Sequence, residues 1–119
     1  MLSREDEVRL RHMLDHAREA IAFAAGKTRV DLQHDRLLQL GLVRLIEIIG
    51  EAAARVSKVA QAAHPAVPWP QIVATRNRLI HGYDFVDYDI LWQTLQDDLP
   101  GLVRELERLL AGARPSGAR

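Results

Sequence analysis

The chain has 119 residues, of which 48% are hydrophobic, and its 16 basic and 16 acidic residues give a formal net charge of zero. This size predicts one domain with a single core, and the zero charge excludes nucleic-acid binding through overall charge alone. Cysteine is absent, which excludes disulfides, thiolate metal sites and a thiol nucleophile. The N-terminal segment lacks an apolar signal core, and three prolines interrupt the longest uncharged stretch, residues 59–75. We therefore expect a cytoplasmic protein without a membrane span.

Apolar residues recur at helical spacing in two long segments. The first series ends near Gly26 and predicts a core-facing first helix: Leu10, Leu14, Ala17, Ile21 and Ala24. After the connector GKTRVD, a second series predicts a long central helix: Leu38, Leu42, Leu45, Ile49, Ala52, Val56 and Val59. Further apolar residues lie off this second stripe: Leu40, Ile46, Ile48 and Ala53. We therefore expect the central helix to pack on more than one neighbour, with another subunit as one candidate.

The second half of the chain predicts two more helical segments. A third helix is predicted from Trp69 to His81, with Pro70 in its first turn and Gly82 as a left-handed C-terminal cap. A fourth is predicted to begin after a capping aspartate, Asp87 or Asp89. Asp97 or Asp98 with Pro100 indicates a restart or kink before the last helical residues. No segment alternates like a strand, so we predict an all-α antiparallel bundle of four to five helices over residues 1–112, with a disordered tail at residues 113–119.

The segment RNRLIHGYDF, residues 76–85, concentrates polar side chains around one glycine. On a helix, Asn77 and His81 would lie one turn apart, whereas Arg76 would point about 140° away from His81. The negative end of the helix dipole would raise the pKa of His81 toward neutrality or above, which suits a general acid or base. The guanidinium of Arg76 suits phosphate, so the pattern indicates phosphodiester chemistry.

A structural interpretation competes with this one. A histidine before a glycine commonly ends a helix, where its ring satisfies the last carbonyl groups, and Tyr83 would then be a half-buried core tyrosine. Spacing alone favours this structural interpretation, because short motifs often match by chance.

A resemblance shifts the balance toward function. RNRLIHGY resembles the motif of the HEPN superfamily in the form carried by HepT-like toxins: Arg, four residues, His, one residue, Tyr. RLIEIIGEAA, residues 44–53, is similar to a segment on the family's central helix. The stretch WPQIVATRNRLIHGYDFVDYDILWQTLQDDLP also resembles the family. The similarity runs from the first helix to about Leu110.

This resemblance implies a HEPN-like fold and a metal-independent endoribonuclease toxin, without a cofactor, that acts as a homodimer or higher even oligomer. It also implies a partner, a minimal nucleotidyltransferase antitoxin. The family's catalytic Arg and His map to Arg76 and His81, and the supporting polar residue maps to Asn77. The tyrosine that the antitoxin modifies with AMP maps to Tyr83.

Cleavage of RNA by its own 2'-hydroxyl needs a base, an acid and a cation. One motif supplies a single histidine, so we hypothesise that a two-fold dimer combines two motifs in one cleft. The alternative is a non-catalytic helical module that dimerises, binds the nucleotidyltransferase and helps to hold its nucleotide. The neutral charge and the acidic residues after the motif favour this alternative: Asp84, Asp87 and Asp89.

Other polar or aromatic pairs have structural explanations. His12 and His16 are spaced like metal ligands, but no carboxylate motif accompanies them, so a solvated helix face is expected. Glu47 and Glu51 are expected to pair with Arg44 or Arg55, although either could orient a residue of the cleft. Two tryptophans could stack bases but are expected to pack in the core: Trp69 and Trp92.

Overall fold

The computed structural model describes residues 2–81 and 85–113, and of residues 76, 80, 81, 85 and 113 it describes the backbone alone. The described part contains four longer helices, α1 (Arg4–Ala24), α3 (Arg36–Arg55), α5 (Trp69–Leu79) and α7 (Leu99–Ala113). Three short helices lie between them, α2 (Arg29–His34), α4 (Lys58–Ala63) and α6 (Tyr88–Gln93). Two two-residue strands, β1 (Ile80–His81) and β2 (Phe85–Val86), pair antiparallel. The predicted all-α fold is confirmed.

The core is a layer of leucine, isoleucine and alanine side chains between the longer helices. α1 packs along α3 and α7, and α3 also packs on α5. Leu10 on α1, Leu42 on α3 and Leu106 on α7 are fully buried. Most of the predicted first-helix stripe is buried, and Ile21 is partly buried against the core. No helix within residues 2–81 and 85–113 is both long and apolar enough to cross a membrane.

The predicted end of the central helix is wrong. α3 ends at Arg55 instead of continuing through Val59, because Ser57 caps a new helix by accepting a hydrogen bond from the amide of Ala60. Val59 is consequently 82% exposed. The connector GKTRVD contains the start of a short helix that was not predicted, because Thr28 and Asp31 form a capping box that starts α2. Both signals are local hydrogen bonds, which apolar periodicity does not report.

The last helical region is irregular just before Pro100, where the sequence predicted a restart or kink. Asp87 caps α6, because its side chain accepts a hydrogen bond from the amide of Ile90. Residues 94–98 form a turn of π-helix, and α7 then begins at Leu99. The expected kink beside Pro100 is therefore a π-helical turn. The tail was predicted over residues 113–119, but Ala113 is the last residue of α7, and residues 114–119 lie outside the described residues.

A buried carboxylate joins the start of α1 to the junction between α3 and α4. Asp6 accepts hydrogen bonds from the backbone amide and the hydroxyl of Ser57, at 2.9 and 2.6 Å. These bonds hold the pKa of Asp6 below its usual value of 3.8, and the bond from the hydroxyl of Ser57 makes the largest contribution. Burial acts in the opposite direction and raises the pKa. The pair fixes where the chain turns from the central helix into α4.

We expect Asp6→Ala to lower the free energy of unfolding by about 1–3 kcal/mol, because it leaves the amide of Ser57 without its partner. Since folding lowers the pKa of Asp6, this stabilisation is present above pH 4 and is lost as pH falls through the folded-state pKa. Urea unfolding of both proteins at pH 7 and pH 3 measures the effect. An equal difference at the two pH values would contradict this role of the charged carboxylate.

Candidate active site

The motif lies at the end of α5, where a short hairpin replaces the predicted last helical turn. α5 ends at Leu79, and its last carbonyl accepts a hydrogen bond of 2.8 Å from the amide of Asp87. Ile80 then pairs with Val86, and His81 pairs with Phe85. The prediction of a helix through His81 is therefore wrong. Strand pairing and the Asp87 bond satisfy backbone groups that another helical turn would otherwise have satisfied.

This hairpin changes the predicted relation between the motif residues. Arg76 and Asn77 are on the last turns of α5, whereas the backbone of His81 is on β1. The one-turn spacing of Asn77 and His81, and the full effect of the helix dipole on His81, both assumed a continuous helix. Asn77 is exposed to solvent. The side chains of Arg76 and His81, and the whole of Tyr83, lie outside the described residues.

Close contact between two helix backbones places the motif helix on the central helix. A Cβ atom built on Gly50 would lie 3.4 Å from the carbonyl oxygen of Ile72 and 3.9 Å from that of Val73. Farther along, the hydroxyl of Tyr88, just after the hairpin, donates to Gln39 over 3.5 Å. Ile72 on α5 thus lies beside Gly50, and Tyr88 on α6 lies beside Gln39, near the N-terminal end of the central helix.

Hydrogen bonds and an ion pair join α2, α3 and α6 at this end of the central helix. The side-chain amide of Gln39 donates to the carbonyl groups of Leu32 and Gln33, at 2.8 and 3.1 Å, which holds α2 against α3. Arg29 on α2 forms an ion pair with Asp89 on α6. These contacts hold α6, the helix that follows the hairpin, on α2, and hold α2 on α3.

Two of the three aspartates after the motif have local partners. Asp87 caps α6, and Asp89 is paired with Arg29. Asp84 lies outside the described residues. The start of α6 compensates part of the charge of Asp87, and Arg29 compensates part of the charge of Asp89. The two carboxylates therefore repel the phosphates of RNA less than the sequence alone suggests. That weakens one of the two arguments for a non-catalytic module.

The other weighed residues behave as the structural interpretations predict. The Nη1 atom of Arg44 lies 3.7 Å from Oε1 of Glu47 and 3.9 Å from Oε2 of Glu51. Trp69 is buried and donates its indole N–H to the carbonyl of His64. Trp92 is partly buried against the core. The rings of His12 and His16 make an edge-to-face contact at 6.3 Å. In the described part of the chain, no group of three or more histidine or acidic side chains is placed to hold a metal ion.

A separate cleft of about 390 Å³ opens between α5, the π-helical turn and α7. Charged residues of both signs line it: Arg78, Arg104, Asp97, Asp98 and Glu105. Burial raises the pKa of Asp98, and the nearby charge of Arg78 opposes that rise. Sequence patterns gave no signal for this cleft, because its lining comes from three distant segments.

Comparison with known proteins identifies the family. The sequence profile of the ribonuclease HepT-like family matches residues 13–109. A candidate RNase of Methanocaldococcus jannaschii is 31% identical over 107 residues, which cover 90% of this chain and 98% of that protein. A protein of Thermococcus cleftensis, named as a candidate ribonuclease HepT, is 35% identical over 100 residues, covering 81% and 91% of the two chains.

A third relative, a candidate RNase of Caldanaerobacter subterraneus subsp. tengcongensis, is 35% identical over 101 residues. The alignment covers 85% of this chain and 90% of that protein. No solved structure gives a significant match. The family profile spans α5 and the hairpin as well as the central helix, and the three relatives align over most of their own length. This chain therefore belongs to the ribonuclease HepT-like family.

Proposed function

We propose that this protein is a metal-independent endoribonuclease toxin that cleaves RNA through the RNA's own 2'-hydroxyl. The observation that carries the proposal is the complete sequence motif that begins on the last turns of α5, in a chain whose relatives are named as RNases. Arg76 and His81 are the proposed catalytic residues, and Asn77 is the proposed supporting residue. Asn77 is exposed on α5, where a nucleic acid can reach it.

The chemistry needs three contributions. One imidazole takes the proton from the 2'-hydroxyl, a second gives a proton to the leaving 5'-oxygen, and guanidinium groups stabilise the charge on the phosphorane. Because each chain has one His81 and one Arg76 in the motif, a two-fold dimer would supply both imidazoles and two guanidiniums. The products would carry a 2',3'-cyclic phosphate and a 5'-hydroxyl.

Regulation is proposed to act at Tyr83, two residues after His81 in the sequence. A nucleotidyltransferase antitoxin would transfer AMP from ATP to the phenolic oxygen of this residue, with release of pyrophosphate and of the phenolic proton. The attached nucleotide would bring a bulky, negatively charged group to the same hairpin, where it would repel the phosphates of RNA and occupy their space. The modification would thereby silence cleavage without unfolding the protein.

We expect Tyr83→Phe to cleave RNA at the same rate as the unsubstituted protein that carries no AMP. Unlike that protein, Tyr83→Phe should stay active when the nucleotidyltransferase and ATP are present. Phenylalanine keeps the ring and lacks the oxygen that accepts AMP. Intact-mass measurement and an RNA cleavage assay, each before and after incubation with the enzyme, give the result. Tyr88→Phe is the matched control, because it removes the other tyrosine hydroxyl of the chain. Neutralisation of Tyr83→Phe with a gain of AMP mass would refute the assignment.

The function is tested by incubating the purified protein, free of any partner, with total RNA and with tRNA in EDTA. Fragmentation of the RNA is the expected result. If the RNA stays intact, the mass of the protein decides between two explanations. Addition of AMP would identify a silenced enzyme, whereas an unmodified, inactive protein would favour a helical module that binds the nucleotidyltransferase.

A further inference from the structure

A groove of about 530 Å³ lies between the first half of α1 and the last turns of α3. It combines an apolar lining with three guanidinium groups, and we call it the α1–α3 groove. The residues that define it are Arg4, Val8 and Arg9 from α1, and Ile48, Ala52 and Arg55 from α3. Both Arg4 and Arg55 are exposed to solvent, so a ligand can reach them from outside.

The arginines of this groove lack the carboxylate partners that other arginines of the protein have. On the same helix, for example, Arg11 forms an ion pair of 2.8 Å with Glu7. Within residues 2–81 and 85–113, no ion pair is formed by the three arginines of the groove: Arg4, Arg9 and Arg55. The guanidinium of Arg9 donates instead to a backbone carbonyl of α1, at 3.2 Å. The positive charge of the groove is therefore not neutralised by ion pairs of the described chain.

The balance of charge distinguishes this groove from the cleft between α5, the π-helical turn and α7. Three arginines and two carboxylates line the groove, whereas two arginines and three carboxylates line the cleft. One of the carboxylates of the groove, Glu51, is also close to Arg44, at 3.9 Å. Because the net charge of the whole chain is zero, binding of a polyanion needs a local excess of positive charge. The α1–α3 groove has such an excess, and the cleft does not.

We propose that the α1–α3 groove binds the sugar–phosphate backbone of RNA, outside the catalytic motif. Guanidinium groups bind phosphate oxygens through paired hydrogen bonds, and the apolar lining can contact the sugar. The groove lies on α3, which also packs on the motif helix α5. Since a helix is only about 10–12 Å wide, one RNA can contact both places. The inference rests on the proposed function in one respect, which is the choice of RNA as the ligand.

The test compares two double variants that lower the net charge equally. Arg4→Gln/Arg55→Gln changes the groove, whereas Arg18→Gln/Arg108→Gln changes two exposed arginines outside it. Fluorescence anisotropy measures binding of a single-stranded 2'-O-methyl RNA, which the proposed attack by the 2'-hydroxyl cannot cleave. We expect the groove variant to bind about tenfold more weakly and the control variant to bind within about twofold of the unsubstituted protein.

The salt dependence of binding gives a second readout. Each lost phosphate contact should reduce the slope of log affinity against log salt concentration by about 0.7, so the groove variant should lose about 1.4. Arg4→Lys/Arg55→Lys keeps the charge and should keep the slope of the unsubstituted protein. Circular dichroism and thermal unfolding establish that each variant is folded. Absence of RNA binding by the unsubstituted protein, or equal affinities of the two glutamine double variants, would overturn the inference.

Chemical blocking of the groove tests its position without removing any charge. Val8 is 42% exposed, and the chain has no cysteine, so Val8→Cys introduces a single accessible thiol. Attachment of a bulky maleimide to this thiol should lower the affinity for RNA. The same modification of Val59→Cys, on α4, should leave the affinity unchanged. Modified Val8→Cys that binds RNA as tightly as before would contradict the proposed site.

RNA cleavage by the same variants separates this inference from the proposed function. If the unsubstituted protein cleaves RNA and the groove variant needs about tenfold more RNA for half-maximal cleavage, both proposals are supported. If the protein binds RNA through the groove but never cleaves it, the groove stands and the nuclease is refuted. If the protein cleaves RNA and the two glutamine double variants bind and cleave it alike, the groove is wrong and the nuclease stands.

Discussion

His81→Ala should lower the rate of RNA cleavage by about 10²–10⁴-fold, which is the usual contribution of a positioned general acid or base. In the proposed dimer one His81 serves as the base and the other as the acid, so the substitution removes both groups from the shared cleft. Affinity for RNA should change much less than the rate, because Arg76 and Asn77 are retained. Single-turnover cleavage and RNA binding by fluorescence anisotropy measure the two quantities separately.

The matched control for this substitution is His12→Ala. His12 is an exposed histidine on α1, outside the motif. The His12→Ala variant should cleave RNA at the rate of the unsubstituted protein. If both variants cleaved equally well, His81 would have no catalytic role.

Leu42→Ala should produce the largest loss of stability, about 2–5 kcal/mol in the free energy of unfolding. Leu42 is fully buried on α3, so its truncation loses contacts and leaves a cavity. A loss of this size should lower the melting temperature by on the order of 10 °C. Denaturant unfolding at one fixed protein concentration measures it, because association would shift the apparent stability.

The control for the core is Val59→Ala on α4, which should change stability by no more than about 0.5 kcal/mol. Val59 was predicted as a residue of the central-helix stripe, but it is exposed. Comparable losses from Leu42→Ala and Val59→Ala would contradict the arrangement of the core.

The sequence predicted the parts of the fold that depend on burial. Spacing of Leu10, Leu14 and Ala17 identified a core-facing helix, and all three side chains are buried. The capping role considered for Asp87 is also confirmed. Both signals are local and physically direct: apolar periodicity reports the buried face of a helix, and a short polar side chain at a helix start satisfies free amides.

The helix ends that were predicted wrongly are decided by hydrogen bonds that replace those of a further helical turn. The helix through His81 was predicted because Gly82 is a suitable cap, but the amide of Asp87 bonds the carbonyl of Leu79 and β1 pairs with β2. The central helix was predicted through Val59, but Ser57 caps α4 and is held by Asp6 from 51 positions earlier in the sequence. Such partners become adjacent only after the chain folds, so spacing along the sequence cannot rank them.

The candidate site was reached in two different ways. The residue types at Arg76 and His81 indicated phosphodiester chemistry, but only the family resemblance distinguished it from a capped helix end. The family profile confirms that resemblance. The contacts of Gln39 and Arg29 with α6, the helix after the hairpin, could not be predicted, because those residues belong to α3 and α2 and carry no catalytic pattern.

Analysis of the RNA ends most directly tests the central claim. The purified protein is incubated with RNA in EDTA, and the fragments are examined by mass spectrometry for the groups at their new ends. Attack by the 2'-hydroxyl without metal predicts 2',3'-cyclic phosphates and 5'-hydroxyls, and these products should be absent with His81→Ala. Cleavage that requires magnesium, or that leaves 5'-phosphates and 3'-hydroxyls, would contradict the proposed reaction.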